Sequence, residues 1–358
     1  MSRTVRAAAG SLLVVGLGGT ELTALECAWL KLVRPAGIIL FRRNIVDAAQ
    51  TRTLLLEATA LCTPNSLRCV DVEGGTVDRL RDALAPMPSA QAVANAGMAR
   101  EHGQHIGRAV KAFGFNTTLA PVLDLALPSS AEVMGTRAAS ATAEGVVKYA
   151  RGFLRGLKSE NVAGCGKHFP GLGAGTRDSH LETPAIHRSV EELWRDDLLP
   201  YRELRTELPM VMANHAAYPQ TPGGERPASV SPYWIAAVLQ KRIGYNGIVF
   251  SDDLEMGGIL KYMPIEEAVI AAMSAGMDLM EICHSPELIL RGYEALISEA
   301  ERSKAFAALL AARARRTTKL RARLFADSPG RALTAGQFDA LRKQVLRFGE
   351  NVAEAQQA

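Results

Sequence analysis

Eight short apolar runs recur along the 358-residue chain, and their rhythm limits its fold more than any other feature. They cover residues 12–15, 37–41, 67–71, 116–120, 162–167, 210–214, 247–251 and 277–282. Each is nearly unbroken rather than alternating, the pattern of parallel strands covered on both faces by helices. The segments between them, at 23–32, 48–61, 99–113, 143–160, 190–204, 232–241 and 265–275, have helical periodicity. Ser189 followed by Glu192 forms a capping-box start, and Pro264 opens another helix where its missing N–H does no harm. Eight such units match the ~250 residues of a TIM barrel. The expectation is an α/β fold, a (β/α)8 barrel over about 11–284, in a single domain spanning 1–358 with C-terminal helices over about 286–358. A doubly wound sheet fits less well, because no GxGxxG turn follows a strand.

Composition matters where it closes off function classes. A chain 48% hydrophobic and 22% charged has ample material for a core, and a net charge of +4 is too small and scattered for a nucleic-acid surface. The one basic cluster, Arg313, Arg315, Arg316, Lys319, Arg321 and Arg323, reads as a solvated helix face without function. Five cysteines without CxxC spacing indicate neither a disulfide framework nor a zinc site. Arg3 and Arg6 before a small apolar run resemble a short signal peptide, but residues 12–15 read better as a buried strand. No stretch reaches the ~18 apolar residues of a membrane span. A cytoplasmic monomer with no nucleic-acid or membrane partner is expected.

In such barrels the chemistry sits at the C-terminal ends of the strands. Those ends are polar here: Asp71 to Arg79 after the third run, Asp124 and then Arg137 after the fourth, Lys167-His168, Asn214-His215, Ser251-Asp252-Asp253 and Cys283-His284. Any one of these could cap a helix, but several charges converging on one rim would be costly to desolvate without a function. Asp252 arrives directly from a buried run, as a nucleophile must to be held rigidly, whereas strand alternation turns Asp253 away as a cap or anchor. Arg79, Arg137 and Lys167 offer donors, and Asp71 can accept from two neighbouring hydroxyls, a pattern suited to a sugar. The fifth run leads into a loop with three glycines that carries Asp178 and His180, close enough for the carboxylate to orient the imidazole. A zinc site of the amidohydrolase kind lacks its His-x-His pair at the first strand, and no GxxxxGK[ST] marks a phosphate loop. No cofactor or metal is expected.

Taken in order, Gly37-Ile38-Ile39-Leu40-Phe41-Arg42-Arg43-Asn44, Asp71-Val72-Glu73-Gly74-Gly75, Ala120-Pro121-Val122-Leu123-Asp124, Lys167-His168-Phe169-Pro170-Gly171, Asp178-Ser179-His180 and Phe250-Ser251-Asp252-Asp253-Leu254 resemble glycoside hydrolase family 3. Within it, the likeness is to the single-domain bacterial β-N-acetylglucosaminidases of the NagZ type. The resemblance implies a retaining exo-β-N-acetylglucosaminidase (a β-N-acetylhexosaminidase) that acts on peptidoglycan fragments or chitooligosaccharides. It implies Asp252 as nucleophile, His180 as acid/base oriented by Asp178, and Asp71, Arg79, Arg137, Lys167 and His168 as binders of N-acetylglucosamine. Three departures bear on the loop and on specificity: Leu172 where the family has a second histidine, Thr76 for a common arginine, and Ala138-Ala139 for Ser-Phe. The alternatives are a phosphorylase, a β-glucosidase or xylosidase of the same family, and a sugar-binding barrel without turnover.

Overall fold

Burial on both faces turns each apolar run into a strand. In the computed structural model, which describes residues 3–174, 183–325 and 330–357, these are β1 (Leu13–Gly16), β2 (Gly37–Leu40), β3 (Leu67–Val70), β4 (Thr117–Thr118), β5 (Ala163–Phe169), β6 (Met210–Ala213), β7 (Ile248–Asp253) and β8 (Leu279–Ile282). They pair in parallel in chain order, and β8 returns to β1 to close the expected TIM barrel. Val14, Ile39, Cys69, Cys165, Met212 and Phe250 fill the interior, while the outward side chains pack against the helices in a second, larger core.

Two register irregularities position the site. Between β5 and β6, Gly166 pairs with Val211 and Phe169 with Ala213, so three steps on β5 match two on β6. Between β7 and β8, Phe250 pairs with Leu279 and Asp253 with Glu281, again three steps against two. An extra residue in a strand breaks the alternation of side chains. Lys167 and His168 on β5 can therefore face the same cavity, as can Asp252 and Asp253 on β7.

Most of the helices follow the periodicity. The segment at 190–204 divides into Val190–Arg195 and Leu199–Glu203, since Pro200 cannot continue the first helix and Asp197 turns in to pair with Arg188 at 2.8 Å. A helix at Arg3–Gly10 precedes β1 and packs on Pro286–Arg302 and Lys304–Leu324. Pro286–Arg302 itself packs against Ile265–Ala275 and Ala24–Val33, which makes it the helix of the eighth unit. Among the described residues no helix is long and apolar enough to cross a membrane.

The basic cluster is not merely a solvated face. Lys304–Leu324 lies across the N-terminal ends of the strands, where Arg316 Nε donates to the buried Asp278 at 3.1 Å and Arg316 Nη2 to the Gly247 carbonyl at 2.9 Å. Arg321, fully buried, donates through Nη1 to the carbonyls of Ala36 (3.0 Å) and Pro64 (3.2 Å). Burial lowers its pKa to about 10, within the range where the charge persists at neutral pH. Arg321→Ala would leave these carbonyls unpaired and a cavity behind, so we expect a loss of about 3 kcal/mol in unfolding free energy by urea titration. A loss under about 1 kcal/mol would mean that the helix does not seal the barrel.

Candidate active site

A cavity of about 200 Å³ opens at the C-terminal ends of the strands. Asp71, Arg79, Arg137, Lys167, His168 and Asp252 all line it, so six of the eight residues singled out in the sequence meet in one place. The other two, Asp178 and His180, lie outside the described residues.

The centre of the charge arrangement is Glu73, which the sequence places in a quoted motif without a role. After β3 the chain makes a small antiparallel ribbon, Val72–Gly74 against Val77–Asp78, which brings Glu73 over the barrel mouth. Gly74, with φ of +90°, has no room for a side chain: a Cβ would lie 2.2 Å from the Pro88 carbonyl oxygen. Thr76 lies exposed at the ribbon's tip. Glu73 accepts two hydrogen bonds from Arg137, Nε to Oε2 at 2.8 Å and Nη2 to Oε1 at 2.9 Å. Lys167 Nζ lies 2.7 Å from its Oε1 and donates to Asp71 Oδ1 at 2.8 Å. Burial works against the Glu73 charge, but Arg137 and then Lys167 outweigh it and hold its carboxyl well below the usual carboxylate range. Arg79 Nε is buried and has no hydrogen-bond partner among the described residues, leaving a donor at the cavity wall.

Asp124 is the second residue that sequence reasoning left without a role. Its Oδ2 accepts from His168 Nδ1 at 2.6 Å and its Oδ1 from the Leu172 backbone N–H at 2.6 Å. Because a carboxylate only accepts, Nδ1 is the donor of this pair, and Nε2 lies 3.4 Å from Arg137 Nη2. Leu172, where the resembled family has histidine, keeps its backbone contact while its side chain forms part of the cavity wall.

Asp252 is oriented by the bulge on β7 and accepts from the Asp253 backbone N–H at 3.0 Å. Burial opposes its ionisation, yet His168, His215 and Lys167 prevail and keep its pKa below the ordinary value. His215 Nε2 donates to the Asp253 carbonyl at 2.9 Å, and its Nδ1 lies 2.7 Å from Ser229 Oγ, pinning the end of the strand. Asp253 corrects the alternation argument, because it lines the cavity as well as accepting from the Glu255 backbone N–H at 3.0 Å. Burial raises its carboxyl to about 7. Asp253, Glu255 and His284 could offer a metal three atoms within 4.8 Å of one another. Glu255, however, accepts from the backbone N–H groups of Cys283, His284 and Ser285, so this cluster serves as a cap for the turn after β8.

Comparison with known proteins identifies the family. The model of the glycosyl hydrolase family 3 N terminal domain matches residues 4–320. The chain belongs to glycoside hydrolase family 3. Within the family it is 37% identical over 291 residues to a beta-hexosaminidase of Pseudomonas aeruginosa, covering 79% of this chain and 86% of that one. Among family 3 structures, the β-N-acetylglucosaminidase of Paenibacillus sp. superposes with a TM-score of 0.87 at 30% identity, over 98% of this chain and 69% of that one. NagZ from Neisseria gonorrhoeae superposes with a TM-score of 0.75 at 29% identity, over 94% and 97%.

Glu73→Gln tests the charge arrangement. A carboxylate with a depressed pKa contributes stability above its unfolded value, near 4.5, and loses it as pH falls through the folded value. The variant should be about 3 kcal/mol less stable at pH 7, because two buried cations lose their counterion. Its stability should also fall less steeply than the wild type's on acidification below pH ~4.5. Parallel pH curves in chemical denaturation would contradict this.

Proposed function

We propose that this family 3 glycoside hydrolase is a retaining, exo-acting β-N-acetylglucosaminidase with Asp252 as its nucleophile. The observation that carries the reading is the ionised carboxylate of Asp252 in a cavity that also presents Asp71, Arg79, Arg137, Lys167 and His168. The likeness to a beta-hexosaminidase and to β-N-acetylglucosaminidases supports the sugar specificity. The small cavity suits one terminal ring at a time.

Asp71 and the cations bind the hydroxyl and acyl oxygens, and Asp252 attacks the anomeric carbon. The bond from that carbon to the leaving oxygen breaks, and the leaving oxygen takes a proton from His180, whose imidazolium Asp178 orients. A water, giving its proton back to His180, then displaces Asp252 and frees the sugar. Two inversions leave the anomeric configuration unchanged. The roles of His180 and Asp178 rest on the family motif. The substrates extend on this reading to N-acetylglucosaminyl peptidoglycan fragments, handled by a monomer in the cytoplasm. Five free cysteines, three of them inside the barrel, favour a reducing compartment.

Asp252→Asn should reduce kcat on an aryl β-N-acetylglucosaminide on the order of 10³-fold or more, with the fold intact by circular dichroism. Near-normal turnover would remove the nucleophile assignment. His180→Ala should cost much more on an alkyl than on a nitrophenyl leaving group, since only the poor leaving group needs the proton. Equal losses would argue against the acid role. Running the assays with and without phosphate separates hydrolysis from phosphorolysis.

A further inference from the structure

Glu281 has no part in the scheme above. It stands on β8 between Met280 and Ile282, the one polar residue of that four-residue strand, and is 2% exposed. Leu279 and Cys283, on the same face of the strand, belong to the barrel interior, and Glu281 lines the same cavity as Asp71 and Asp252. Its Oε1 accepts from the Cys283 thiol at 3.2 Å, the one hydrogen bond to this carboxyl among the described residues.

The titratable groups around it are Cys69 on β3 and Asp71 just beyond, Cys165 on β5, Asp252 and Asp253 on β7, and Cys283 just after β8. None of them is a cation. Lys167 is engaged by Asp71 and Glu73. Burial, reinforced by Asp253 and Asp71, pushes the Glu281 carboxyl far above its ordinary range. Both effects favour the neutral acid, which has one O–H to donate. A leucine or methionine would fill this interior position without the cost of desolvating a carboxyl, so the polar group needs a partner that the protein alone does not supply.

We infer that Glu281 is a sugar-contacting, specificity-determining residue of this pocket: its second carboxyl oxygen, Oε2, donates a hydrogen bond to a ring hydroxyl whose own proton goes to Asp71. The inference rests on the glycosidase reading of the site. A hydroxyl both donates and accepts, and Asp71, as a carboxylate, can only accept. Glu281 supplies the complementary donor from β8, which β1 and β2 separate from the β3 that leads into Asp71. Being uncharged, it adds no further anion beside Asp71 and Asp252.

The test compares Glu281→Gln, which keeps a neutral donor, with Glu281→Met, which keeps length but has none. The measurements are kcat and KM on 4-nitrophenyl N-acetyl-β-glucosaminide, calorimetric binding of N-acetylglucosamine, and Tm. E281M should raise KM and the dissociation constant about tenfold, the effect of one lost neutral hydrogen bond, with kcat within about threefold and Tm unchanged or higher. E281Q should stay within about threefold of wild type. Wild-type binding should weaken on the alkaline side as Glu281 ionises, and E281Q should lack that component, a readout that needs only the conservative variant to fold. Wild-type affinity in E281M, an E281Q loss as large as that of E281M, or parallel alkaline curves would overturn the inference. Wild-type protein that binds the sugar without cleaving the glycoside would sink the hydrolase reading and leave the Glu281 comparison to be judged on binding. Absence of binding would overturn both.

Discussion

Two cations, Arg137 and Lys167, share the carboxylate of Glu73, and the rest of the pocket depends on that sharing. Unshared, they would repel each other inside a low-dielectric cavity. With Glu73 between them and Asp71 on the far side of Lys167, two positive and two negative charges balance. Asp252 is a further anion of the cavity, and His168, His215 and Lys167 favour its charge against the cost of burial. A nucleophile that stays charged at the end of a buried strand is therefore a property of its neighbours.

The backbone makes that arrangement possible by breaking its own alternation twice. The extra residue on β5 lets Lys167 and His168 line the cavity together, and the extra residue on β7 does the same for Asp252 and Asp253. Regular strands would turn one of each pair outward. At the opposite end, Arg316 and Arg321 tie the strand starts together through backbone carbonyls. One end of the barrel thus carries the fixed contacts and the other the chemistry, the division typical of this architecture.

Much of this was legible in the sequence, for physical reasons that can be named. The eight apolar runs were readable because parallel strands buried on both faces leave few polar interruptions, as in Ile248-Val249-Phe250 before the polar end of β7. Asp71, Lys167, His168 and Asp252 were readable because each ends or directly follows such a run. Glu73 and Asp124 acquire meaning only when the Val72–Gly74 ribbon and the turn at Leu172 bring partners across tens of residues. Asp253 was misplaced because periodicity cannot foresee a bulge. Glu281 was hidden inside a run read as core, and Arg321 looked solvated because its partners are carbonyls, which every sequence has. Asp178 and His180 remain known by motif alone.

The configuration of the sugar at the moment of release tests the central claim most directly. A covalent Asp252 intermediate requires two displacements, so proton NMR during cleavage of an aryl β-N-acetylglucosaminide should show the β-anomer of N-acetylglucosamine first, with the α-anomer appearing later by mutarotation. If the α-anomer appeared first, a water would have made the only displacement, and Asp252 could not be the nucleophile.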